Sequence, residues 1–310
     1  MSSPTMVLEQ QRTGLWSHLL ALVELTKPKI ALLELMTVLV AASVASSGIP
    51  DKLILVINAL VGTALVAASA SALNQWLERD LDAGMHRTQD RPLPSGQLTD
   101  REAFWFGAVT MGSGTLYLIF LVNLTTALIG VVTWFLYVCV YTPLKTRSSA
   151  NTLVGAIAGA GPVLMGWASV ESAWGTRENV LLAATLFGIV FFWQFPHFMA
   201  IAWIYREDYA RVGAKMLTVT EPSGRLAGLQ AVASAALLMP LSLLPAVMMK
   251  TGPIYFLLAL MLAGMQFVVA VAFLLQPSDR SARRMLRASL FFLPLLFGLL
   301  WLSPFVFPWL

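Results

Sequence analysis

Long apolar runs are the feature that most constrains how this chain can fold. Each of nine runs is long enough to cross the roughly 30 Å hydrocarbon core of a bilayer. Charged residues make up only 12% of the 310 residues, about half of their share in soluble domains. The sequence therefore predicts an all-α polytopic membrane protein with nine transmembrane helices. The runs cover approximately residues 30–47, 53–77, 103–122, 124–141, 153–170, 180–204, 226–249, 254–275 and 288–306.

Lysine and arginine are unevenly distributed among the segments that connect these runs. With the N-terminus on the inner side, only Lys52, Arg177 and Lys250 fall outside, which leaves 17 of the 20 lysines and arginines inside. Basic residues accumulate on the cytoplasmic side of membrane proteins. The N-terminus and the polar loops at 78–102 and 205–225 are therefore expected in the cytoplasm. Two long loops on one face suggest a distant duplication with an active site between its halves.

The first 26 residues lack the basic start and the cleavage site of a signal peptide. Their apolar residues recur at helical spacing and predict an interfacial helix on the membrane surface. These residues are Leu15, Trp16, Leu19, Leu20 and Val23. We expect residues 27–310 to form a single transmembrane domain. The lone cysteine, Cys139, excludes a disulfide within the chain, and nothing in the sequence indicates nucleic-acid binding.

The stretch NQWLERDLDAGMHRTQDRPLPSG, residues 74–96, combines acids and bases at the end of the second run. In an α-helix Asn74, Glu78 and Asp82 lie on one face, because steps of four residues rotate by only about 40°. Asp80 points elsewhere. Two carboxylates at a helix C-terminus oppose the helix dipole, so a cation is needed to offset them. Mg²⁺ prefers such oxygen ligands, and we predict a metal site on this face.

Basic side chains follow these acids along the chain. Arg87 and Arg91 lie in the next loop, and Lys145 follows the fourth run. Guanidinium groups bind phosphate with two parallel hydrogen bonds, so the three cations suit a diphosphate. Positive residues in a cytoplasmic loop also arise from membrane topology alone. Tyr141, one turn before Lys145, is a candidate lining residue of an apolar channel below the diphosphate.

A second cluster of polar residues lies at the end of the sixth run, within the stretch FFWQFPHFMAIAWIYREDYARVGAKML. Its members are Tyr205, Arg206, Glu207 and Asp208. His197 lies nearly three turns deeper, and ionisable residues inside a membrane are usually functional. It is therefore a candidate substrate contact, with a purely structural interior histidine as the alternative. Glu34 in the first run serves either a pocket or a pair with a neighbouring helix.

Together these residues resemble a known family. The spacing of Asn74, Glu78 and Asp82, followed by HRTQDRPLPSG, is similar to the first aspartate-rich motif of the UbiA superfamily of intramembrane prenyltransferases. Three stretches resemble the branch that modifies haem and span close to half of the chain. They are ERDLDAGMHRTQDRPLPSG, YTPLKTR…NTLVGAIAGAGPVLMGW and WQFPHFMAIAWIYREDYARVGAKML. Gln75, where quinone-precursor enzymes commonly have an aspartate, and the sparse second motif YRED also favour that branch.

The resemblance implies a UbiA-like bundle of nine helices around a central cavity, capped by the cytoplasmic loops. It implies Mg²⁺-dependent transfer of the farnesyl group from farnesyl diphosphate to the vinyl group of haem b, which gives haem O and diphosphate. The expected location is the inner (plasma) membrane of the cell. Association with haem A synthase or with oxidase assembly proteins is also expected.

Within this chemistry the candidate residues receive roles. The Mg²⁺ ligands, direct or through water, are Asn74, Glu78, Asp82, Glu207 and Asp208. The diphosphate contacts are Arg87, Arg91 and Lys145. The substrate-binding residues are Tyr141, Trp193, Phe195, His197, Phe198, Tyr205 and Arg206. Aromatic faces shield the allylic cation and exclude water, and His197 is a candidate ligand of the haem iron.

Three alternative functions remain open. A related prenyltransferase would use an aromatic quinone precursor as its acceptor. A membrane transporter is the second alternative, because broken helices and buried acids also occur in transporters, although their sites usually lie near the midplane rather than at one face. A non-catalytic haem-delivery factor would bind haem and would tolerate the loss of every carboxylate.

Overall fold

The regular secondary structure in the described parts of the chain is entirely helical, with helices joined by loops. The computed structural model describes residues 4–46, 53–170, 174–249 and 252–306. Lys52 and Lys250, which the sequence assigned to the outer side, lie outside these ranges. The helices are α1 Pro4–Leu25, α2 Pro28–Ala45, α3 Leu53–Ala83, α4 Asp100–Leu121, α5 Leu124–Phe135, α6 Thr142–Leu144, α7 Asn151–Ala168, α8 Arg177–Ile204, α9 Arg206–Arg211, α10 Leu217–Thr220, α11 Arg225–Met248, α12 Gly252–Leu275 and α13 Asp279–Val306. A π-helical segment, Leu136–Tyr141, joins α5 to α6.

Within the described ranges, eight helices are long and apolar enough to cross a membrane. One of them is the continuous span Leu124–Leu144, which includes α5, the π-helical segment and α6. The predicted fifth span corresponds to α7, whose glycines and whose polar Asn151 and Thr152 lower its mean hydropathy. The predicted all-α membrane architecture is confirmed, and the predicted count of nine is close.

Side chains on the outside of the bundle are large and apolar, whereas small residues occur where helices contact each other. Large apolar residues such as Phe120, which is 77% exposed, cover the outside, as expected for a surface in contact with lipid. Small residues allow close approach between helices. At Gly166 in α7 an added Cβ would collide with the backbone carbonyl oxygen of Val38 in α2. The backbones of α2 and α7 are therefore in direct contact.

The largest cluster of buried apolar side chains lies where α2, α7, α8, α11, α12 and α13 meet. Trp167, Phe292 and Phe297 are fully buried there. On the other side of α7, α3 packs against α4 and α5. The helices thus surround a central cavity, and α3 and α8 both end beside its charged part.

The N-terminal helix α1 lies against the end of α3. Ala21 and Leu25 are buried against residues of α3 and of the following loop, whereas Leu15 and Trp16 are exposed. Gln75 Nε2 donates a hydrogen bond to the Leu25 carbonyl oxygen at 2.8 Å, which ties α1 to α3. The predicted interfacial location and the domain boundary at residue 26 stay predictions.

Candidate active site

A cavity of about 500 Å³ lies between α2, α3, the π-helical segment, α7, α8 and α13. Much of its wall is apolar or aromatic, and its charged residues come mainly from the ends of α3 and α6 and the segments around them. The charged lining residues are Lys27, Lys29, Glu34, Glu78, Asp82, Arg87, Arg91 and Lys145. Five of these residues are basic and three are acidic, so the lining favours an anionic ligand.

The predicted polar face of α3 is present. Asn74, Glu78 and Asp82 are all buried and all line the cavity. Asp80, on the opposite face, has a side chain that is 92% exposed. The helix continues to Ala83, so one unbroken helical surface holds the three oxygen-bearing side chains.

Each carboxylate of this face has a basic partner. Lys145 Nζ lies 2.7 Å from Oε1 and 2.9 Å from Oε2 of Glu78. Arg91 Nη1 lies 2.6 Å from Asp82 Oδ2. Although burial lowers the pKa of Lys145, the contact with Glu78 raises that pKa above its ordinary value overall. Lys145 is therefore held in its charged form beside Glu78.

Lys27 is a third basic group beside the α3 face, and it was not among the residues predicted for the site from the sequence. Its Nζ donates a hydrogen bond to Asn74 Oδ1 at 2.8 Å. The residue has a left-handed backbone, with φ 52°, immediately before α2 begins, a conformation that is uncommon outside glycine. Burial lowers the pKa of Lys27 to about 7, and the positive charges of Arg91 and Lys145 act in the same direction. A ligand with negative charge would stabilise its protonated form.

The π-helical segment places the end of the fourth span against α3. The rings of Tyr137 and Tyr141 stack with centroids 5.2 Å apart, and both line the cavity. Thr142 Oγ1 accepts a hydrogen bond from Asn74 Nδ2 at 3.0 Å and donates one to the Tyr137 carbonyl oxygen at 2.9 Å. Lys145 Nζ lies 4.7 Å from the centroid of the Tyr141 ring. π-Helical turns are rare and are often found at functional sites.

The two long polar loops meet beside the cavity. The Arg87 guanidinium lies 4.7 Å from the ring centroid of Tyr205 and 5.8 Å from that of Tyr209. Arg87 also donates a hydrogen bond to Tyr209 Oη at 3.2 Å. Arg87 and Tyr209 line the cavity. The ends of α3 and α8 are therefore joined through contacts of their following loops.

The second predicted motif is largely directed away from the cavity. Arg206 pairs with Asp279 at 2.8 Å, Glu207 has a side chain that is 85% exposed, and Asp208 pairs with Arg211 at 3.0 Å. The chain leaves helical geometry after α8 and restarts as the short helix α9. The structure does not bring Arg206, Glu207 or Asp208 into the cavity lining, and it does not join the two acids to the α3 face.

The predicted aromatic residues of α8 divide into two groups. Trp193, His197 and Phe198 line the cavity. Phe195 does not, because it points into a cluster in which its ring lies 5.1 Å from that of Phe191. Trp193, His197 and Phe198 are thus available to surround an apolar ligand, whereas the predicted substrate contact of Phe195 is not found in the cavity lining.

Glu34 is the acid of the first span. It lines the cavity from α2, and its carboxylate has no hydrogen bond or salt bridge to any residue that the structure describes. Of the two alternatives from the sequence, a pocket residue and a helix-pairing residue, the structure favours the pocket residue.

The α3 face fits a metal that shares its ligands with a phosphate. Among the described residues, no three His, Cys, Asp or Glu side chains are grouped closely enough to hold a metal. The face supplies two carboxylates and an amide, and the buried Asp82 Oδ1 has no hydrogen-bond partner in the described part of the chain. Mg²⁺ typically binds one or two carboxylates plus phosphate oxygens and water. The residues present therefore suit Mg²⁺ bound together with a phosphate ligand.

Comparison with known proteins places these features in context. The model of the UbiA prenyltransferase family matches residues 35–307. A protoheme IX farnesyltransferase of Koribacter versatilis (strain Ellin345) is 39% identical over 312 residues, which cover 98% of this chain and 99% of the relative. A protein of the same name from Solibacter usitatus (strain Ellin6076) is 40% identical over 293 residues, which cover 91% of this chain and 97% of the relative.

A solved structure is similar in fold. It is that of a UbiA homolog from Archaeoglobus fulgidus bound to DMAPP and Mg²⁺, with a TM-score of 0.64 and 16% identity. The match covers 90% of this chain and 98% of that chain. At this identity the likeness establishes a common fold.

Proposed function

The chain belongs to the UbiA prenyltransferase family, and from this premise we propose that it transfers the farnesyl group of farnesyl diphosphate to the vinyl group of haem b, giving haem O and diphosphate. Its relatives named protoheme IX farnesyltransferase match nearly the full length at about 40% identity. The protein is a multi-pass membrane enzyme, as its apolar helices and its family indicate.

One observation carries the proposal: the buried acids of α3 and basic side chains from separate segments line one part of an otherwise largely apolar cavity. A farnesyl chain is apolar and its diphosphate is highly charged, so a single cavity with two environments suits both parts. Electrostatic stabilisation of a leaving group is usually the largest contribution to catalysis. The charged part of the cavity is therefore the expected location of the diphosphate.

The chain's own cations would hold the diphosphate. Arg87 and Arg91 are suited to its oxygens through paired N–H groups, and Lys27 and Lys145 add point charges. As the farnesyl C–O bond breaks, its electron pair leaves with the diphosphate, and these cations offset the added negative charge. We expect them to bind the product diphosphate more tightly than a singly charged phosphate ester.

Asn74, Glu78 and Asp82 would hold Mg²⁺ together with the diphosphate. The ion would supply further charge neutralisation for the departing group. The homolog bound to DMAPP and Mg²⁺ supports this assignment by analogy. Glu207 and Asp208 were also predicted as ligands from the sequence. We do not include them in the proposed metal site, because their side chains do not join the α3 face.

The apolar part of the cavity would direct the second half of the reaction. The faces of Trp193 and Phe198 would shield the allylic cation through their π-electrons and limit the access of water. The vinyl π-electrons of haem b then form the new C–C bond and leave a cation next to the porphyrin ring. Water adds to that cation and loses a proton, which completes the hydroxyl group of haem O.

A single reaction tests the proposal. The purified chain in detergent receives haem b and farnesyl diphosphate, with Mg²⁺ or with a chelator, and the products are analysed by mass. We expect a porphyrin heavier by one farnesyl and one hydroxyl group, formed only with Mg²⁺. Product from 4-hydroxybenzoate and none from haem b would reassign the acceptor to an aromatic quinone precursor. Haem binding that survives loss of the carboxylates, without product, would indicate a delivery factor, and substrate flux without chemistry would indicate a transporter.

We also propose the cellular setting. The charge distribution supports a plasma-membrane protein with its N-terminus and both polar loops in the cytoplasm. Haem O would pass from the cavity to haem A synthase or to oxidase assembly proteins. Co-purification of such a protein with the tagged chain from native membranes tests this association, and its absence after mild solubilisation and cross-linking would argue against it.

A further inference from the structure

Ser289 of α13 contacts two cavity-lining residues of α8. Its backbone carbonyl oxygen accepts a hydrogen bond from Trp193 Nε1 at 2.7 Å, and its hydroxyl oxygen lies 2.9 Å from His197 Nδ1. The Trp193 and His197 rings stack with centroids 5.1 Å apart and planes inclined by 25°. The His197 imidazole is therefore held by stacking on the Trp193 ring and by its hydrogen bond with the Ser289 hydroxyl. Ser289 contributes to both contacts, because its carbonyl oxygen also binds the Trp193 indole.

The direction of the bond between Ser289 and His197 follows from a third contact. Ser289 Oγ lies 2.7 Å from the carbonyl oxygen of Leu286. A carbonyl can only accept, so the hydroxyl proton is donated to Leu286 and only lone pairs remain on Oγ. His197 must then donate from Nδ1. A neutral imidazole that carries its proton on Nδ1 has a free lone pair on Nε2.

The Nε2 lone pair is available to a ligand. His197 lines the cavity, and its Nε2 has no hydrogen-bond partner in the part of the chain that the structure describes. The rings next to it belong to Trp193 and Phe198, which offer aromatic faces to a flat apolar molecule. An imidazole with one nitrogen hydrogen-bonded and the other free has the arrangement of metal-binding histidines.

We propose that His197 Nε2 coordinates the iron of an iron porphyrin in the cavity, and that Ser289 is the positioning residue that fixes the required tautomer. The inference rests on the proposed function, in which haem b is the acceptor substrate. The lone pair of Nε2 forms the bond to iron, and no proton or electron is transferred. Coordination would hold the centre of the macrocycle beside α8, so that the farnesyl group meets one part of the porphyrin edge.

The test compares an iron porphyrin with a metal-free one. Purified full-length protein in detergent, without farnesyl diphosphate, is titrated with haem b and separately with protoporphyrin IX, and the absorption spectra are recorded. We expect Ser289→Ala and His197→Ala to weaken haem binding about 10- to 100-fold, as loss of ligand support typically does, and to change the haem spectrum. Affinity for protoporphyrin IX should stay unchanged, because that molecule has no iron to coordinate.

Three further measurements separate coordination from packing. Ser289→Thr keeps a hydroxyl and should retain the wild-type haem spectrum, and added imidazole should restore that spectrum in His197→Ala. Ser303→Ala is the matched control, because Ser303 is buried in the same helix and donates to the Leu300 carbonyl oxygen at 2.9 Å. This control should bind both porphyrins normally.

Two results would overturn the inference. One is an equal loss of affinity for both porphyrins in Ser289→Ala and His197→Ala, which would reveal a packing role. The other is a haem spectrum that His197→Ala leaves unchanged. Failure of the proposed function is distinguishable from either result, because it would appear as a His197-dependent haem spectrum without formation of farnesylated product.

Discussion

At the scale of single residues, the polar face of α3 is completed by three cations from different parts of the chain. Lys27 precedes α2, Arg91 lies in the loop after α3, and Lys145 follows α6. The charged part of the cavity therefore forms only when these segments come together in the folded bundle. A diphosphate bound there would contact several helices at once and would stabilise the folded state.

The residues on α3 were predictable and Lys27 was not. The spacing of Asn74, Glu78 and Asp82 fixes their common face through helix geometry alone. The bond between Lys27 and Asn74 joins residues 47 positions apart, and no local pattern encodes such a pair. A lysine before a proline at the start of an apolar run is also typical of a topology signal, which concealed its role.

Asp82→Asn tests the importance of one carboxylate. The substitution keeps the shape of the side chain and removes its charge, so the Mg²⁺ that neutralises the leaving group would lose a charged ligand. We expect kcat for haem O formation to fall by about 10²- to 10³-fold, the usual effect of removing one electrostatic contribution to catalysis. The activity is measured with purified protein, and its thermal transition in detergent reports folding.

The control for this substitution lies two residues away. Asp80→Asn removes the same charge from an exposed position on the same helix, and it should keep wild-type turnover. Turnover of Asp82→Asn within about twofold of wild type, with folding intact, would contradict the metal and leaving-group role.

At the scale of elements, the π-helical segment determines which side chains meet α3. It allows Thr142 to bond Asn74 and Lys145 to pair with Glu78. The sequence predicted a span through this region but gave no sign of the wider turn. A π-helical turn contains one residue more than an α-helical turn, and here it is stabilised by contacts with other helices. The periodicity of a single helix carries no information about such contacts.

Deletion of Cys139 tests the π-helical segment. Removal of one residue rotates the chain that follows by about 100° relative to the chain before it, which would turn Thr142 and Lys145 away from α3. We expect activity to fall by at least about 10²-fold, because small displacements of positioning groups have effects of this size. Cys139→Ala keeps the chain length and alters an exposed side chain, so it should remain active. Equal activities of the two variants would count against the role of this segment.

The end of α8 shows where the sequence was a poor guide. Arg206, Glu207 and Asp208 follow an apolar run with the expected combination of charges, but Tyr205 has φ −108° and ψ 22°, and the chain changes direction there. The composition of this segment therefore predicts its charge but not the direction of its side chains, and the metal role of Glu207 and Asp208 stays a prediction. Only the packing of α9 determines where these side chains point.

Gly166→Ala tests the contact between α2 and α7. The new Cβ would collide with the backbone carbonyl oxygen of Val38, so the helices must move apart. We expect a loss of about 1–3 kcal/mol in the free energy of unfolding, as for other overpacked interiors, measured as a lower thermal transition. Gly264→Ala adds the same methyl group in α12, with no heavy atom within 4 Å, and should not lower the transition. An unchanged transition in Gly166→Ala would show that the two helices separate freely.

At the scale of the whole molecule, the all-α fold and the pairing of the two polar loops were predictable. Nine apolar runs predicted the all-α membrane fold, with a count close to the eight spans found among the described residues. The charge bias predicted that the second and sixth runs end on one face. The contact of Arg87 with Tyr205 and Tyr209 agrees with that arrangement. The closeness of these loops depends on the packing of α3 and α8 around the cavity, which no single segment encodes.

Cysteine labelling tests the orientation of the molecule. In a Cys139→Ala background, Ser95→Cys and Ser223→Cys place exposed thiols in the two polar loops, and Arg177→Cys places one at the start of α8. We expect an impermeant maleimide to label Ser95→Cys and Ser223→Cys in inverted vesicles and Arg177→Cys in intact cells. The opposite pattern would reverse the orientation, and labelling of the two loop positions from different sides would refute the shared face.

The contact of Arg87 with the two tyrosines also has a kinetic consequence. Pyrophosphate that departs past these loops must first separate them, which breaks a hydrogen bond and two cation–π contacts. Dissociation of pyrophosphate, rather than cleavage of the C–O bond, would then be rate-limiting in steady-state turnover. Rapid-quench measurements should show a burst in which the first equivalent of product forms faster than later ones, and strictly linear progress from the first turnover would place the slow step before release.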